Sequence, residues 1–266
     1  MAGLEEDEMA ESATRADRVA RGKEIRKTVP RSSHAAWAPS ADRVDPVTLI
    51  TNQDKDRLQF LVPIRHYRMA ESAFTFYRGA AAIMAADLAG TPSTGLSAQL
   101  CGDAHLSNFG SFGTPTREQV FDINDFDETL PGPWEWDLKR LAASFVLAGR
   151  DNEFDDDDTR SMTRMAVAGY QDAMAKFTTM TTLDVWYAHL TLQQITDALP
   201  KKKDRKRATK ASAKSRAKGS LRALNKLAEK VDGSFRIRTD PPLLIPLRDL
   251  PAALSPDQLR AEAERS

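Results

Sequence analysis

Asp122, Asp125, Asp127 and Glu128 place four acidic side chains within seven residues, directly behind the strand-like run Gln119-Val-Phe121. Upstream, Asp103 and Asn108 lie five residues apart in Cys101-Gly-Asp-Ala-His-Leu-Ser-Asn108, which follows a second short apolar run, Leu96 to Cys101. A Gly/Ser/Thr/Pro-rich stretch, 110–116, links the two expected strands, Leu96–Cys101 and Gln119–Ile123. The expected order is therefore strand, polar loop, strand, acidic loop, with loops carrying the chemistry-bearing groups.

Such groups suit phosphoryl transfer. That reaction needs little covalent work from the protein, only a carboxylate to orient or deprotonate the acceptor and oxygen ligands for Mg²⁺. Asp103 and Asn108, with Asp122 fourteen residues further on, supply these types at workable spacing. Each has a plainer reading beside the chemical one. Asp103 and Asn108 both suit Asx-type turns. His105 is a phosphate contact or general base, or a structural histidine bonded to loop backbone. Cys101 reads as a small buried residue rather than a nucleophile, because nothing nearby lowers a thiol pKa. Asp127 and Glu128 are ligands or a solvated turn. Arg78 pairs with a site group or a phosphate, or forms a buried structural ion pair. Trp134 and Trp136 read as core or loop anchors.

Elsewhere the pattern is mostly helical. Helices are expected over Glu71–Leu88, Trp136–Gly149, Thr159–Phe177 and Leu183–Leu199, with Asp155 to Asp158 at the positive end of the third. Val47 to Arg65 gains Leu, Ile, Phe and Val and should join the core. The fold class is α+β, predominantly helical, with a small β element carrying the site loops. Four segments are expected: an extended, disordered or helical arm, 1–45; the domain holding the acidic site, 46–200; a basic helical arm, 201–230; and a proline-rich end, 231–266. There is no internal repeat.

Charge sharpens this division. The formal net charge is zero, yet the stretch from Lys201 to Lys218 holds ten Lys/Arg and one Asp. The remainder is correspondingly acidic, as expected of an acidic site beside a basic arm. Nucleic-acid binding by the basic run would be salt-dependent, but the run lacks the interleaved aromatics of a single-strand binder, so a solvated helical arm or mobile linker is expected instead. With 41% hydrophobic and 29% charged residues the balance is that of a globular chain. One cysteine excludes an intramolecular disulfide and a cysteine-rich zinc site. An acidic N-terminus and the lack of a long apolar run point to a cytoplasmic protein without a membrane span.

The loop resembles the catalytic loop of aminoglycoside and choline phosphotransferases, His-Gly-Asp-x-x-x-x-Asn, with Cys101 in place of the histidine. Phe121-Asp-Ile-Asn-Asp125 is similar to their metal-binding strand end, and Pro133-Trp-Glu-Trp-Asp-Leu-Lys139 to their Pro-x-x-x-Asp-Leu element. The resemblance implies a partial protein-kinase-like fold of the C-lobe type and an ATP-dependent phosphotransferase. Asp103 would be the base and Asn108 and Asp122 the Mg²⁺ ligands. Asp125 would assist, with Arg78 and His105 near the nucleotide and the acceptor. Asp137 would tie its helix to the loop. ATP and Mg²⁺ are the implied cofactors, and a small molecule or protein the acceptor. A longer resemblance is to the uncharacterised bacterial family DUF2252. It is carried by Leu61-Val-Pro-Ile-Arg-His-Tyr-Arg-Met69, Phe76-Tyr-Arg-Gly-Ala-Ala81, the 101–110 loop and Phe121 through Arg140. No Gly-x-Gly-x-x-Gly phosphate loop occurs in the chain. The family resemblance implies that such a loop, with a lysine strand, follows the Pro241–Pro246 region, so the chain is expected to be a fragment or shortened member. Two alternatives stand beside the phosphotransferase: a non-catalytic, pseudokinase-like binding module, and a nucleic-acid-associated protein using the basic arm.

Overall fold

A computed structural model describes residues 14–116, 118–216, 226–240 and 245–246. The chain divides into two compact units, Met1–Leu190 and Thr191–Ser266.

The first unit opens with α1 (Arg15–Thr28), whose Thr14 and Asp17 form a capping box. Next come α2 (Pro46–Asp54), α3 (Val62–Met69), α4 (Ala73–Arg78) and α5 (Ala81–Ala89). Ile50, Met69 and Ala80 make a small buried cluster against which Ile83 packs, so the 47–65 segment does enter the core. The single helix expected over Glu71–Leu88 is two. Gly79 ends α4, and a Cβ there would fall 2.7 Å from Met69 Sδ. Met69 thus occupies the space a side chain would need, and the chain turns at that point.

The two expected strands fall in different pairs. β1 (Ser97–Leu100) pairs antiparallel with β4 (Leu130–Pro133), Leu100 opposite Leu130. The 119–123 strand, β3 (Gln119–Ile123), pairs with β2 (Phe109–Gly113), Phe109 opposite Ile123. Part of the expected 110–116 loop is therefore strand. β4 contains two prolines, which a strand tolerates where no ladder N–H is required of them.

α6 (Glu135–Asp151) and α7 (Asp156–Phe177) follow and lie against each other. Asp155 caps α7 by accepting from the Asp158 amide, with Asp156, Asp157 and Asp158 in the first turn. This is the favourable end of the helix dipole for carboxylates. Trp134 anchors the entry to α6: its ring stacks on Tyr170 at 5.8 Å and its Nε1 donates to Thr94 Oγ1 at 2.9 Å. The helix expected over Leu183–Leu199 is broken into α8 (Thr182–Trp186), a two-residue strand β5 (Leu190–Thr191) and α9 (Leu192–Ala198). Thr181 with Asp184, and Thr191 with Gln194, form capping boxes that restart the helix twice.

The second unit contains α9, α10 (Lys202–Arg216) and a hairpin of β6 (Ala228–Val231) and β7 (Ser234–Ile237). Asp232 and Gly233, both at positive φ, form its turn, a combination suited to a two-residue hairpin loop. Expectations for residues 1–13, for residues 217–225 of the basic arm, and for most of the proline-rich end lie outside the described residues. No helix among the described residues is long and apolar enough to cross a membrane.

Candidate functional site

The 101–108 loop is held by one face of α6. Asp137, Arg140 and Ser144 succeed one another at intervals of three and four residues, which places them on a common helical face. Asp137 accepts from two consecutive loop amides, Cys101 N at 2.8 Å and Gly102 N at 3.2 Å. The tie between helix and loop is thus made by the residue to which the resemblance assigned it. One turn on, Arg140 Nε donates to Asp103 Oδ1 at 2.5 Å. Ser144, with no solvent exposure, accepts from Leu106 N at 2.9 Å and donates to Leu141 O.

Asp103 is buried between a guanidinium and an imidazole and is hydrogen-bonded to the first. Arg140 takes Oδ1, and the Nε2 of His105 stands 3.5 Å from Oδ2, outside hydrogen-bond range. Arg140 is itself clamped. Its Nη2 donates to Tyr77 O at 2.9 Å, its guanidinium lies 4.4 Å from the centre of the Tyr77 ring, and Tyr77 Oη donates to Arg140 O. Burial pushes the Tyr77 phenol up to about 12.

His105 is buried. Its Nδ1 accepts from Ser107 N at 3.1 Å, which puts the ring proton on Nε2, facing Asp103. Burial holds its pKa below the ordinary histidine range; Asp103 opposes this, while Arg140 and Arg78 add to it. Arg78 is exposed at the end of α4, so the buried ion pair considered for it does not form, yet its charge reaches His105. Asn108 is buried and donates from Nδ2 to Asp103 O at 2.9 Å. That leaves Oδ1 as the free end of its amide. Cys101 is a buried thiol whose pKa burial, aided by Asp137, pushes up to about 12. It is unsuited to nucleophilic work at neutral pH.

The acidic stretch closes over this loop. Gly102 has φ +82°, and a Cβ on it would lie 2.0 Å from Glu128 O. Only glycine allows the two backbones this approach. Asp122 is exposed on β3 opposite Gly110, and Asn124 N donates to Asn108 O at 3.0 Å. Asn108 and Asp122 therefore stand on adjoining chain segments. Asp122 Oδ1 accepts from Ile123 N and Asp125 Oδ1 from Asp127 N. Glu128 feels the whole cluster: burial raises its pKa, and the charges of Asp103, Asp125 and Asp127 raise it further. Among the described residues, no group of three His, Cys, Asp or Glu side chains is arranged to hold a metal.

Sequence reading missed Arg140 and Ser144. It also missed Asp54, which is buried and accepts from Arg65 at 3.1 Å and from His66 Nε2 at 2.6 Å, bracing α2 against α3. The signal for the first two was present, since polar residues recur on α6 at the same helical interval as its apolar ones.

These features define an α+β protein whose helix-held polar loop is faced by an acidic strand end. The chain belongs to the family described as "Uncharacterized protein conserved in bacteria (DUF2252)", whose model matches residues 57–265. No curated protein and no solved structure matches it.

Proposed function

We propose that the chain carries the acceptor-orienting and metal-binding side of a phosphotransferase site of the kinase-like type. The observation that carries this reading is the assembly of Asp103, Asn108 and the Glu128 loop around the Asp137-tied turn. Asn108 Oδ1 and, on the adjoining segment, the Asp122 carboxylate oxygen not taken by Ile123 N are hard donors suited to Mg²⁺. Mutual repulsion of four carboxylates, felt at Glu128, is a charge excess that a divalent cation offsets. Mg²⁺ characteristically keeps several waters and uses one or two carboxylates together with substrate phosphates, so a closed protein cage is not required. Asn108 and Asp122 would hold it, and its contribution is to neutralise phosphate oxygens.

Asp103 has Oδ1 taken by Arg140 and keeps Oδ2 as a hydrogen-bond acceptor. Phosphoryl transfer through a loose transition state asks chiefly for orientation, so an ion-paired aspartate can serve. The acceptor hydroxyl oxygen would bond to the γ-phosphorus of ATP as the bond to the departing ADP breaks, and its proton would pass to Asp103 or solvent.

The same Arg140–Asp103 pair favours a second reading, a non-catalytic module that binds nucleotide without turnover. Calorimetry with Mg²⁺-ATP and an ADP-release assay on the chain separate the two. Binding with turnover, both lost in Asp122→Ala, supports the phosphotransferase. Binding without turnover, lost in the same variant, supports the module. Mg²⁺-dependent activity retained in Asp122→Ala sinks the assignment of the site.

A further inference from the structure

A cavity of about 370 Å³ lies away from the loop, between residues 34–37 of the N-terminal strap, helices α4 and α5, and the first turns of α6. Trp37, Phe76, Ile83, Met84 and Leu88 give it an apolar lining. A cavity so lined does not hold water well and takes apolar molecules in its place. Its size falls within the range of small-molecule pockets.

Two polar groups at its wall lack the partner they call for. Lys139 donates to Thr91 Oγ1 at 3.1 Å and has no carboxylate within 4 Å among the described residues. Asp87, which also lines the cavity, is consumed by Arg43 in a two-pronged pair at 2.6 and 2.8 Å. Burial lowers the Lys139 pKa, with the charge of Glu135 opposing. His34 also lines the cavity, and its buried Nδ1 has no hydrogen-bond partner among the described residues, so a small turn of the ring would offer it to an occupant. A buried donor or acceptor left without a partner is unfavourable, so an occupant able to satisfy it gains affinity.

We propose that this cavity binds a small amphipathic monocarboxylate, its apolar body among Trp37, Phe76, Ile83 and Leu88 and its carboxylate between Lys139 and His34. The charge complementarity selects the acid: Lys139, with no carboxylate within 4 Å among the described residues, and His34 both line a largely apolar space whose one acidic wall residue, Asp87, is taken by Arg43. The apolar body can be an alkyl chain or an aromatic ring, since the lining accepts either. This site is independent of the phosphotransferase reading, since none of Asp103, Asn108, Asp122 and Glu128 lines the cavity.

The test uses the whole chain, titrated with octanoate and with 3-phenylpropionate by calorimetry and by tryptophan fluorescence, Trp37 being a wall of the cavity. At least one acid should bind, and octanoate should bind more tightly than octanol if the alkyl chain is preferred. Lys139→Met keeps the apolar stem and removes the charge; it should weaken binding about tenfold, the equivalent of one charge-assisted hydrogen bond. Lys55→Met, at an exposed lysine that does not line the cavity, should leave binding unchanged. Ile83→Trp should abolish binding by filling the space. If that variant does not fold, Lys139→Met alone decides. Preference for octanoate assigns an alkyl ligand and preference for 3-phenylpropionate an aromatic one. Absence of binding by both acids in folded protein overturns the proposal, as does undiminished binding in Lys139→Met.

Discussion

Arg140 Nε donates to Asp103 Oδ1 across 37 residues of sequence, with both side chains all but sealed from solvent. A buried pair of this kind adds little net stability by existing, but breaking it from one side leaves a charge stranded. Arg140→Met should destabilise the protein by about 3–5 kcal/mol, and Asp103→Asn should also be costly. The double variant should lose clearly less than the sum of the two. Urea unfolding of the four proteins measures the coupling, and additivity of the two single losses would show that the pair is not energetically joined.

Asp137 offers its two carboxylate oxygens to two amides, and an asparagine has only one oxygen to give. Asp137→Asn should cost about 1.5–3 kcal/mol, the range for a hydrogen bond to a charged group. Amide exchange should quicken at Cys101 or Gly102. In Ser144→Ala the quickened amide should be Leu106 instead. Uniform quickening along the loop in both variants would mean that the fastenings do not act separately.

Gly102→Ala asks a side chain to adopt a left-handed backbone conformation, which costs about 1–2 kcal/mol before any clash is counted. The new Cβ also meets the Glu128 carbonyl. The loss should exceed that of an alanine placed at Gly90, where nothing lies within 4 Å and φ is not positive. Thermal unfolding of the two variants ranks them.

Glu128 gives the site its own pH dependence. Its folded pKa is raised, so its contribution to stability is complete below the ordinary glutamate range and is lost as pH rises through the raised value. Glu128→Gln should therefore flatten the stability profile over that interval and raise stability at neutral pH. If the acidic stretch receives Mg²⁺, the ion should raise the Tm at pH 7 more than at pH 4. That difference should shrink in both Glu128→Gln and Asp122→Ala.

His105 runs the other way. Its folded pKa is lowered, so its contribution is present above the ordinary value of about 6.5 and is lost as pH falls through the folded value. Two-dimensional ¹⁵N NMR of the imidazole should show the Nε2-protonated neutral ring at pH 7. An Nδ1-protonated ring would contradict the acceptance from Ser107 N.

Sequence pattern located β3 to the residue, because a short apolar run closed by carboxylates has few other conformations open to it. The two long helices α6 and α7 were equally legible from their apolar spacing. The break at Gly79 was not, since its cause is the side chain of Met69, ten residues away and in another helix. β4 was hidden because Pro131-Gly-Pro133 has the composition of a breaker, and only its partner β1 makes it a strand. The hairpin at Asp232–Gly233 was visible in principle, as Asp-Gly between two alternating runs is a strong turn signal. In the site, the loop residues were found by type and spacing. Arg140 was passed over because apolar periodicity was read along α6 while the polar residues at the same period were not.

The polar face of α6 decides how portable the loop is. Residues 101–108 grafted alone into another scaffold would leave Asp103 without its cation and three backbone amides without their acceptors. Grafted together with Glu135–Asp151, the loop travels with its own fasteners. The smallest transplantable piece of this protein is thus a loop plus a helix that lies nearly thirty residues downstream.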